Sequence, residues 1–216
     1  MVYADSATPI LSRPQIHPPT VFIVDDDVSI RESLESLIRH EGFDVKSFVS
    51  GNSFLEHPNV LGPGCMLLDV SLPGLNGLEL QKSLVVERPA MPIIFITARE
   101  DPPTIVQAMK AGAVEFLTKP FNDDTLLDAI RAAIQRSELL VRSEARKLAV
   151  QRRYDELTRR EREVLSLIVE GLLNREIGEE LNISEITVKA HRGRVMRKME
   201  ALSLAELVHL AAEVGI

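Results

Sequence analysis

The sequence predicts two domains of different class: an α/β domain on a parallel five-stranded sheet, and a smaller all-α domain behind it. Three observations carry this. From Thr20 to about Phe121, short apolar runs rich in β-formers alternate with stretches of helical period, the pattern of strands joined by crossover helices. The runs are apolar throughout, as in Ile93-Ile94-Phe95-Ile96, which is how a strand covered on both faces reads. From Asp123 onward the strand-like runs stop and the pattern is helical. Length agrees, since 216 residues suit two domains of ordinary size better than one.

Taken in order, residues 1–19 hold Pro9, Pro14, Pro18 and Pro19 and read as a flexible tail. They lack the basic start and apolar block of a secretory signal. Strands are expected at Thr20–Val24, Val45–Phe48, Cys65–Leu68, Ile93–Thr97 and Val114–Leu117. Helices are expected at about Val28–Glu41, Ser53–His57, Gly77–Val86 and Pro103–Ala111. Gly42 and Gly112 stand where helices should stop. The first domain closes at about residue 133. Leu127, Ile134, Val141 and Leu148 fall seven apart, which suggests one long helix with an apolar stripe. The companion positions Ile130, Ser137 and Glu144 turn polar, against a long coiled coil. Two readings stand for this segment: a last helix running into a solvated helical linker over 134–156, or a helix that relays or dimerises.

Residues 157–216 read as four short helices. Thr158 opens the first, with Glu161 completing a capping box, and Gly171 ends it. Asn174–Leu181 makes the second. Ser184 caps the third, which runs to about Met199. Ser203 and Glu206 form another capping box for the last.

Composition excludes several classes. Apolar residues at 45% and charged residues at 26% are ordinary for a globular chain, against a disordered or collagen-like one. No apolar run approaches the ~18 residues that a bilayer crossing needs, so no membrane role is expected. The single cysteine, Cys65, excludes a disulfide framework or a cysteine zinc cluster and fits a cytoplasmic location. A net charge of −7 argues against general polyanion binding but leaves room for a local basic face.

The chemistry gathers at the carboxyl ends of the strands, where ligands of open α/β sheets bind. Asp25, Asp26 and Asp27 follow the first strand, Asp69 ends the third, Thr97 the fourth, and Lys119-Pro120 follows the fifth. Aspartates packed together repel one another and need a cation. An all-oxygen set suits Mg²⁺ (or Mn²⁺), which keeps several waters beside one or two carboxylates. Lys119 and Thr97 supply a positive charge and a hydroxyl, which suit a phosphoryl group on a carboxylate. Each piece has an ordinary explanation alone: helix N-termini favour acids, and Lys-Pro makes turns. Their joint placement points to a site.

These segments resemble a response-regulator receiver domain. The carrying motifs are Val24-Asp25-Asp26-Asp27, Leu68-Asp69-Val70-Ser71-Leu72-Pro73-Gly74, Ile96-Thr97-Ala98 and Lys119-Pro120-Phe121, and the match covers about Thr20 to Ala133. The resemblance implies a flavodoxin-like sheet of order 2-1-3-4-5 and Asp69 as the residue phosphorylated by a sensor histidine kinase. It implies an acidic pocket of Asp25 and Asp26, with Asp26 the more direct metal ligand and the Ser71 backbone carbonyl completing the set. Thr97 would be the switch hydroxyl, Phe116 the switch aromatic, and Lys119 the phosphoryl partner. Pro120 would follow a cis peptide. Asp27 starts the next loop and would cap the first helix.

The carboxy-terminal region carries a second signal. Lys189, Arg192, Arg194, Arg197 and Lys198 put five positive charges into ten residues with no acid between them. The preceding helix and turn have helix-turn-helix spacing, in which the second helix enters the major groove. Thr187 sits in that helix's first turn, and small Ala190 and Gly193 would allow close approach. Leu157-Thr158-Arg159-Arg160-Glu161-Arg162-Glu163-Val164-Leu165, Gly171, Asn174-Arg175-Glu176-Ile177 and Ile186-Thr187-Val188-Lys189-Ala190-His191 resemble the LuxR/FixJ/NarL-type DNA-binding domain. The resemblance implies a core role for Val188 and Val195, a main DNA contact at Lys189, and His191 toward the backbone or groove edge. It implies dimer contact through the final helix, whose set Leu204, Leu207, Val208, Leu210 and Ala211 is wide for so small a core. Gly178 stands where alanine is usual, at a cost of roughly 0.5–1 kcal/mol in mid-helix. Gly193 stands where several relatives carry a longer polar side chain, so the resemblance implies that some base readout passes to Arg192 or Arg194.

The reading is therefore a phosphorylation-dependent regulator, not an enzyme, that dimerises on activation and binds a two-fold promoter site, with RNA polymerase as a further partner. Two rivals exist. A Mg²⁺ phosphatase with Asp69 as nucleophile would need an acid where Ser71 stands. A constitutive DNA binder would use its receiver only to dimerise.

Overall fold

The computed structural model describes residues 18–58, 62–98 and 101–216. The expected amino-terminal tail, apart from Pro18 and Pro19, lies outside them. The chain divides into two compact units between Val141 and Arg142.

In the first unit five strands, β1 (Thr20–Val24), β2 (Asp44–Phe48), β3 (Gly64–Asp69), β4 (Ile93–Thr97) and β5 (Glu115–Thr118), alternate with α1 (Val28–His40), α2 (Gly51–Leu55), α3 (Gly77–Glu87) and α4 (Pro102–Lys110). The sheet is wholly parallel, in the order β2-β1-β3-β4-β5. The apolar runs are explained by burial on both faces. Val21 and Ile23 point into one core layer with Leu34, Ile38, Leu126 and Ile130. Phe22 and Val24 point into the other with Phe54, Leu80, Leu84 and Ala108. Successive strand residues face opposite ways, so both parities must be apolar.

Local chemistry sets the helix ends. Gly42 and Gly112 take φ of +86° and +96°, the left-handed stop that glycine adopts without strain. The second helix begins two residues before the expected Ser53. The reason is Ser50, whose Oγ accepts from Ser53 N at 3.2 Å, so Ser53 is the third helical residue rather than the first.

Helix α5 (Asp123–Asp155) runs for 33 residues, the single long helix that the seven-residue spacing predicted. Its apolar stripe differs from the expected one. Leu127 and Ile134 are buried, but Leu148 is 60% exposed, and Val150 is the buried residue near the end. Ser137, expected as a polar break, is buried: its Oγ accepts from Gly64 N at 3.1 Å and donates to Ala90 O at 2.7 Å. A buried hydroxyl with both bonds made is compatible with a packed face.

The second unit contains α6 (Arg159–Val169), α7 (Asn174–Leu181), α8 (Glu185–Lys198) and α9 (Leu204–Glu213). The Thr158–Glu161 capping box is formed in both directions. At α9 only half of the expected box forms. Ser203 Oγ accepts from Glu206 N, but Glu206 Oε2 accepts from Leu202 N at 2.8 Å instead of from Ser203. The core gathers Val150, Leu157, Val164, Leu165, Ile168, Ile177, Val188 and Val195. It also takes Leu207, Leu210 and Ala211, so most of the α9 set that looked too wide is used inside the unit. Leu204 remains 48% exposed. Among the described residues no helix is long and apolar enough to cross a membrane.

Candidate functional site

Strand register brings the scattered residues of the first unit together. Val24 lies beside Leu68, Asp69 beside Ile96, and Thr97 beside Thr118. Asp25, Asp69, Thr97 and Lys119 therefore stand in a row at the carboxyl edge of the sheet. Carboxylate oxygens of Asp25, Asp26 and Asp69 all lie within 4.8 Å of one another. Asp25 is wholly buried and Asp69 is 7% exposed, while Asp26 faces solvent.

Lys119 offsets the buried charge. Its Nζ donates to Asp25 Oδ2 at 2.6 Å and to Asp69 Oδ2 at 3.0 Å. Burial works against the ammonium, yet these two carboxylates outweigh it and hold Lys119 above the usual lysine range. The other oxygens meet backbone donors: Asp27 N–H bonds Asp25 Oδ1 and Ser71 N–H bonds Asp69 Oδ1, each at 2.9 Å. The Lys119 backbone is held in turn, its N–H donating to Thr97 O at 2.8 Å. The next peptide, Lys119-Pro120, is cis, as expected. Thr97 is buried. Phe116 is half-buried, with its ring centroid 6.0 Å from that of Phe95. Asp27 is the N-cap of α1, accepting from Ser29 N and Ile30 N.

Two supports went unnoticed in the sequence. A Cβ on Gly77 would stand 2.3 Å from Asp69 O, so only glycine lets α3 begin against the end of β3. Arg31 Nη1 donates to Asp25 O at 2.7 Å. The glycine has a signal, the Asn76-Gly77 step that closes the loop begun at Pro73-Gly74, but Arg31 reads as an ordinary exposed helix residue. Cys65, by contrast, is wholly buried, which pushes its thiol up to about 12 and leaves it inert.

The donor set fits a hard divalent cation. It is oxygen only, net negative even with Lys119 present, and open to water at Asp26.

In the second unit, α7 and α8 join through Asn182, Ile183 and Ser184. Asn182 is left-handed (φ 52°, ψ 50°), and Ser184 Oγ caps α8 by accepting from Thr187 N. A Cβ on Gly178 would lie 2.8 Å from Ile183 O. The glycine is thus the residue that lets this turn approach its helix. Val188 and Val195 are fully buried. Lys189, Ala190, Gly193, Arg194 and Arg197 are exposed, whereas Thr187, His191 and Arg192 are half-buried. Arg192 Nη1 donates to Asn174 Oδ1 at 2.8 Å. Lys198, counted in the basic run, turns inward: its Nζ bonds Glu161 Oε2 at 2.8 Å and Glu156 O at 3.0 Å.

A strand-edge acidic pocket with its lysine, joined to a helix-turn-helix unit, defines a two-domain regulator: a receiver coupled to a DNA-binding output. Comparison with known proteins agrees. Residues 21–131 match the response regulator receiver domain, and residues 155–211 match the bacterial regulatory proteins of the luxR family. Nodulation protein W of Bradyrhizobium diazoefficiens is 43% identical over 196 residues, covering 91% of this chain and 86% of that protein. Transcriptional regulatory protein FixJ of the same organism is 41% identical over 196 residues, covering 91% and 96%. Among solved structures, that of response regulator StyR has a TM-score of 0.82 at 45% identity, covering 91% of this chain and 99% of that one. The chain belongs to the response-regulator family, in the FixJ/NarL-type branch with a LuxR-type DNA-binding domain.

Proposed function

We propose that Asp69 accepts a phosphoryl group from the phosphohistidine of a sensor kinase, and that this controls promoter binding by the second unit. The observation that carries the reading is Lys119 bridging Asp25 and Asp69 at 2.6 and 3.0 Å among three clustered carboxylates. A carboxylate oxygen of Asp69 attacks phosphorus as the P–N bond breaks. Such transfers depend on positioning and charge stabilisation more than on covalent help. Ser71 N–H and Lys119 orient the nucleophile, and Lys119 moves with the new phosphoryl oxygens. Asp25, Asp26, Asp69 and the Ser71 carbonyl would hold Mg²⁺ or Mn²⁺, which supplies positive charge to the transferring group. Thr97 and Phe116 then respond to the phosphoryl group and favour a homodimer, since only a state-dependent contact shifts an equilibrium.

In the output unit Lys189, Ala190 and Arg194 face DNA from α8. Thr187, His191 and Arg197 flank the contact, and Arg192 contributes through the donors that Asn174 leaves free. Two copies read a two-fold site and act with RNA polymerase in the cytoplasm. Incubation with a small acyl-phosphate donor and Mg²⁺ tests the first step. Label should enter the parent chain and be lost in Asp69→Asn, in Asp26→Ala and in excess chelator. Undiminished labelling of Asp69→Asn would overturn the assignment. Equal DNA affinity with and without label would favour the constitutive reading.

A further inference from the structure

The side of α8 that faces away from its own core has an unusual composition. Val188, Val195 and Met199 are wholly buried. At about 100° per residue, the opposite side is the row Ile186, Ala190, Gly193 and Arg197. Three of these four carry no hydrogen-bonding side chain. Ile186 is 80% exposed, although it sits in the first turn of a well-capped helix. A Cβ on Gly193 would meet nothing within 4 Å, so packing within the unit does not require glycine there. Positive charge lies beside the row at Lys189 and Arg194, and at its end in Arg197.

We propose that Ile186 is a specificity-determining residue that reads the C5 methyl group of a thymine in each half-site. This rests on the DNA-binding reading of the second unit. The amino-terminal part of a recognition helix is the part that reaches base edges, and Ile186 lies in the first turn of α8. The apolar group that the major groove offers is the thymine methyl. Ala190, one turn on, lets the helix sit close enough for a branched side chain to touch it. An exposed isoleucine in this place adds nothing to the core, and its burial against a methyl group removes both from water. The flanking cations hold the helix against the phosphates, while the row between them selects by shape and apolar contact.

The experiment uses the full-length chain. A preferred duplex is first selected from random DNA. Each thymidine is then replaced singly by deoxyuridine, which lacks only the methyl group, and affinities are measured for the parent and for Ile186→Ala. The parent should lose about three- to fivefold at one thymine in each half-site, the scale of one buried methyl-sized group. Ile186→Ala, which removes the contact in both half-sites at once, should lose the square of that factor, roughly ten- to twentyfold, on the unmodified duplex and be indifferent to uracil at that position. Sensitivity retained in Ile186→Ala would overturn the proposal, as would a parent indifferent to every replacement. Tighter binding by Ile186→Ala would also overturn it, since the side chain would then be covering some other surface. If selection enriches no sequence at all, the DNA-binding reading itself fails, an outcome distinct from enrichment without methyl dependence.

Discussion

Replacing Lys119 by methionine keeps most of the length of the stem and removes the charge. Two buried carboxylates then lose their shared cation: the Asp25 side chain is 0% exposed, that of Asp69 11%, and that of Lys119 14%. Removing one partner of a buried pair costs about 3–5 kcal/mol. The remaining bonds from Asp27 N–H and Ser71 N–H, and the opening to water at Asp26, favour the lower end, about 3 kcal/mol. Adding Asp69→Asn to Lys119→Met should recover at least about 1 kcal/mol, because the two sites share a contact and are not additive. The sign with pH follows from the raised lysine value. The pair's contribution is fully present below the ordinary lysine value of about 10.4 and is lost as pH rises through the higher folded value. Parent and variant should therefore differ by a constant amount from neutral pH to about 10 and converge above it. Amide hydrogen exchange of β1 and β3 across a urea series reads the first unit separately from the second. A Lys119→Met chain within about 0.5 kcal/mol of the parent, the range of a surface change, would refute the role given to the cation.

Gly178→Ala should destabilise the second unit by about 1 kcal/mol, because overpacking against the Ile183 carbonyl at 2.8 Å outweighs the helix propensity gained; urea melting followed at Tyr154 measures it. Glu161→Gln should flatten the acid limb of that unit. Burial raises the Glu161 carboxyl, but the bonds from Lys198 and Thr158 outweigh it and leave the value below the ordinary range, so its contribution is present above about pH 4.3 and lost as pH falls through the folded value. Ser137→Ala should cost about 1–3 kcal/mol in the first unit by leaving Gly64 N–H and Ala90 C=O without their buried partner, measured by the same exchange experiment.

Much of the fold was legible because each element carries its own local signal. The apolar strands, the stops at Gly42 and Gly112, and the caps at Thr158 and Ser184 all act within a few residues. What acts across the fold was not. Ser137 reads as a polar break in a stripe, yet it bonds backbone 47 and 73 residues away. The same strand residues could face either core layer, since both parities are apolar. The strand order came from resemblance to receivers rather than from periodicity. Asp25, Asp69, Thr97 and Lys119 could be placed together because a parallel sheet puts every strand's carboxyl end on one edge. Gly77 and Arg31 could not, because their partners are backbone carbonyls, which any sequence supplies.

The basic run on α8 shows where counting charges goes wrong. Five cations suggest a uniformly attractive helix, but the fold divides them. Lys198 is held by buried Glu161 and the Glu156 carbonyl, and Arg192 is tied to Asn174. Lys189 pairs with Glu185 at 3.0 Å, with both side chains about half-exposed, and an exposed pair of that kind is worth about 0–1 kcal/mol. A phosphate can compete for it. Asn174 is neutral and leaves the charge of Arg192 uncompensated, so Lys189, Arg192, Arg194 and Arg197 are the cations of α8 that can release counterions, and two copies bring eight. At about −0.9 per neutralised phosphate, α8 contributes a slope near −7 in log affinity against log salt rather than the −9 of all ten. Arg197→Ala should make the slope of a two-copy complex shallower by about 2. Lys198→Gln should leave the slope unchanged while lowering the stability of the second unit. Filter or fluorescence titrations over a range of salt separate the two variants. Equal changes of slope would mean that Lys198 leaves Glu161 for the phosphate, and that the buried pair does not survive contact with DNA.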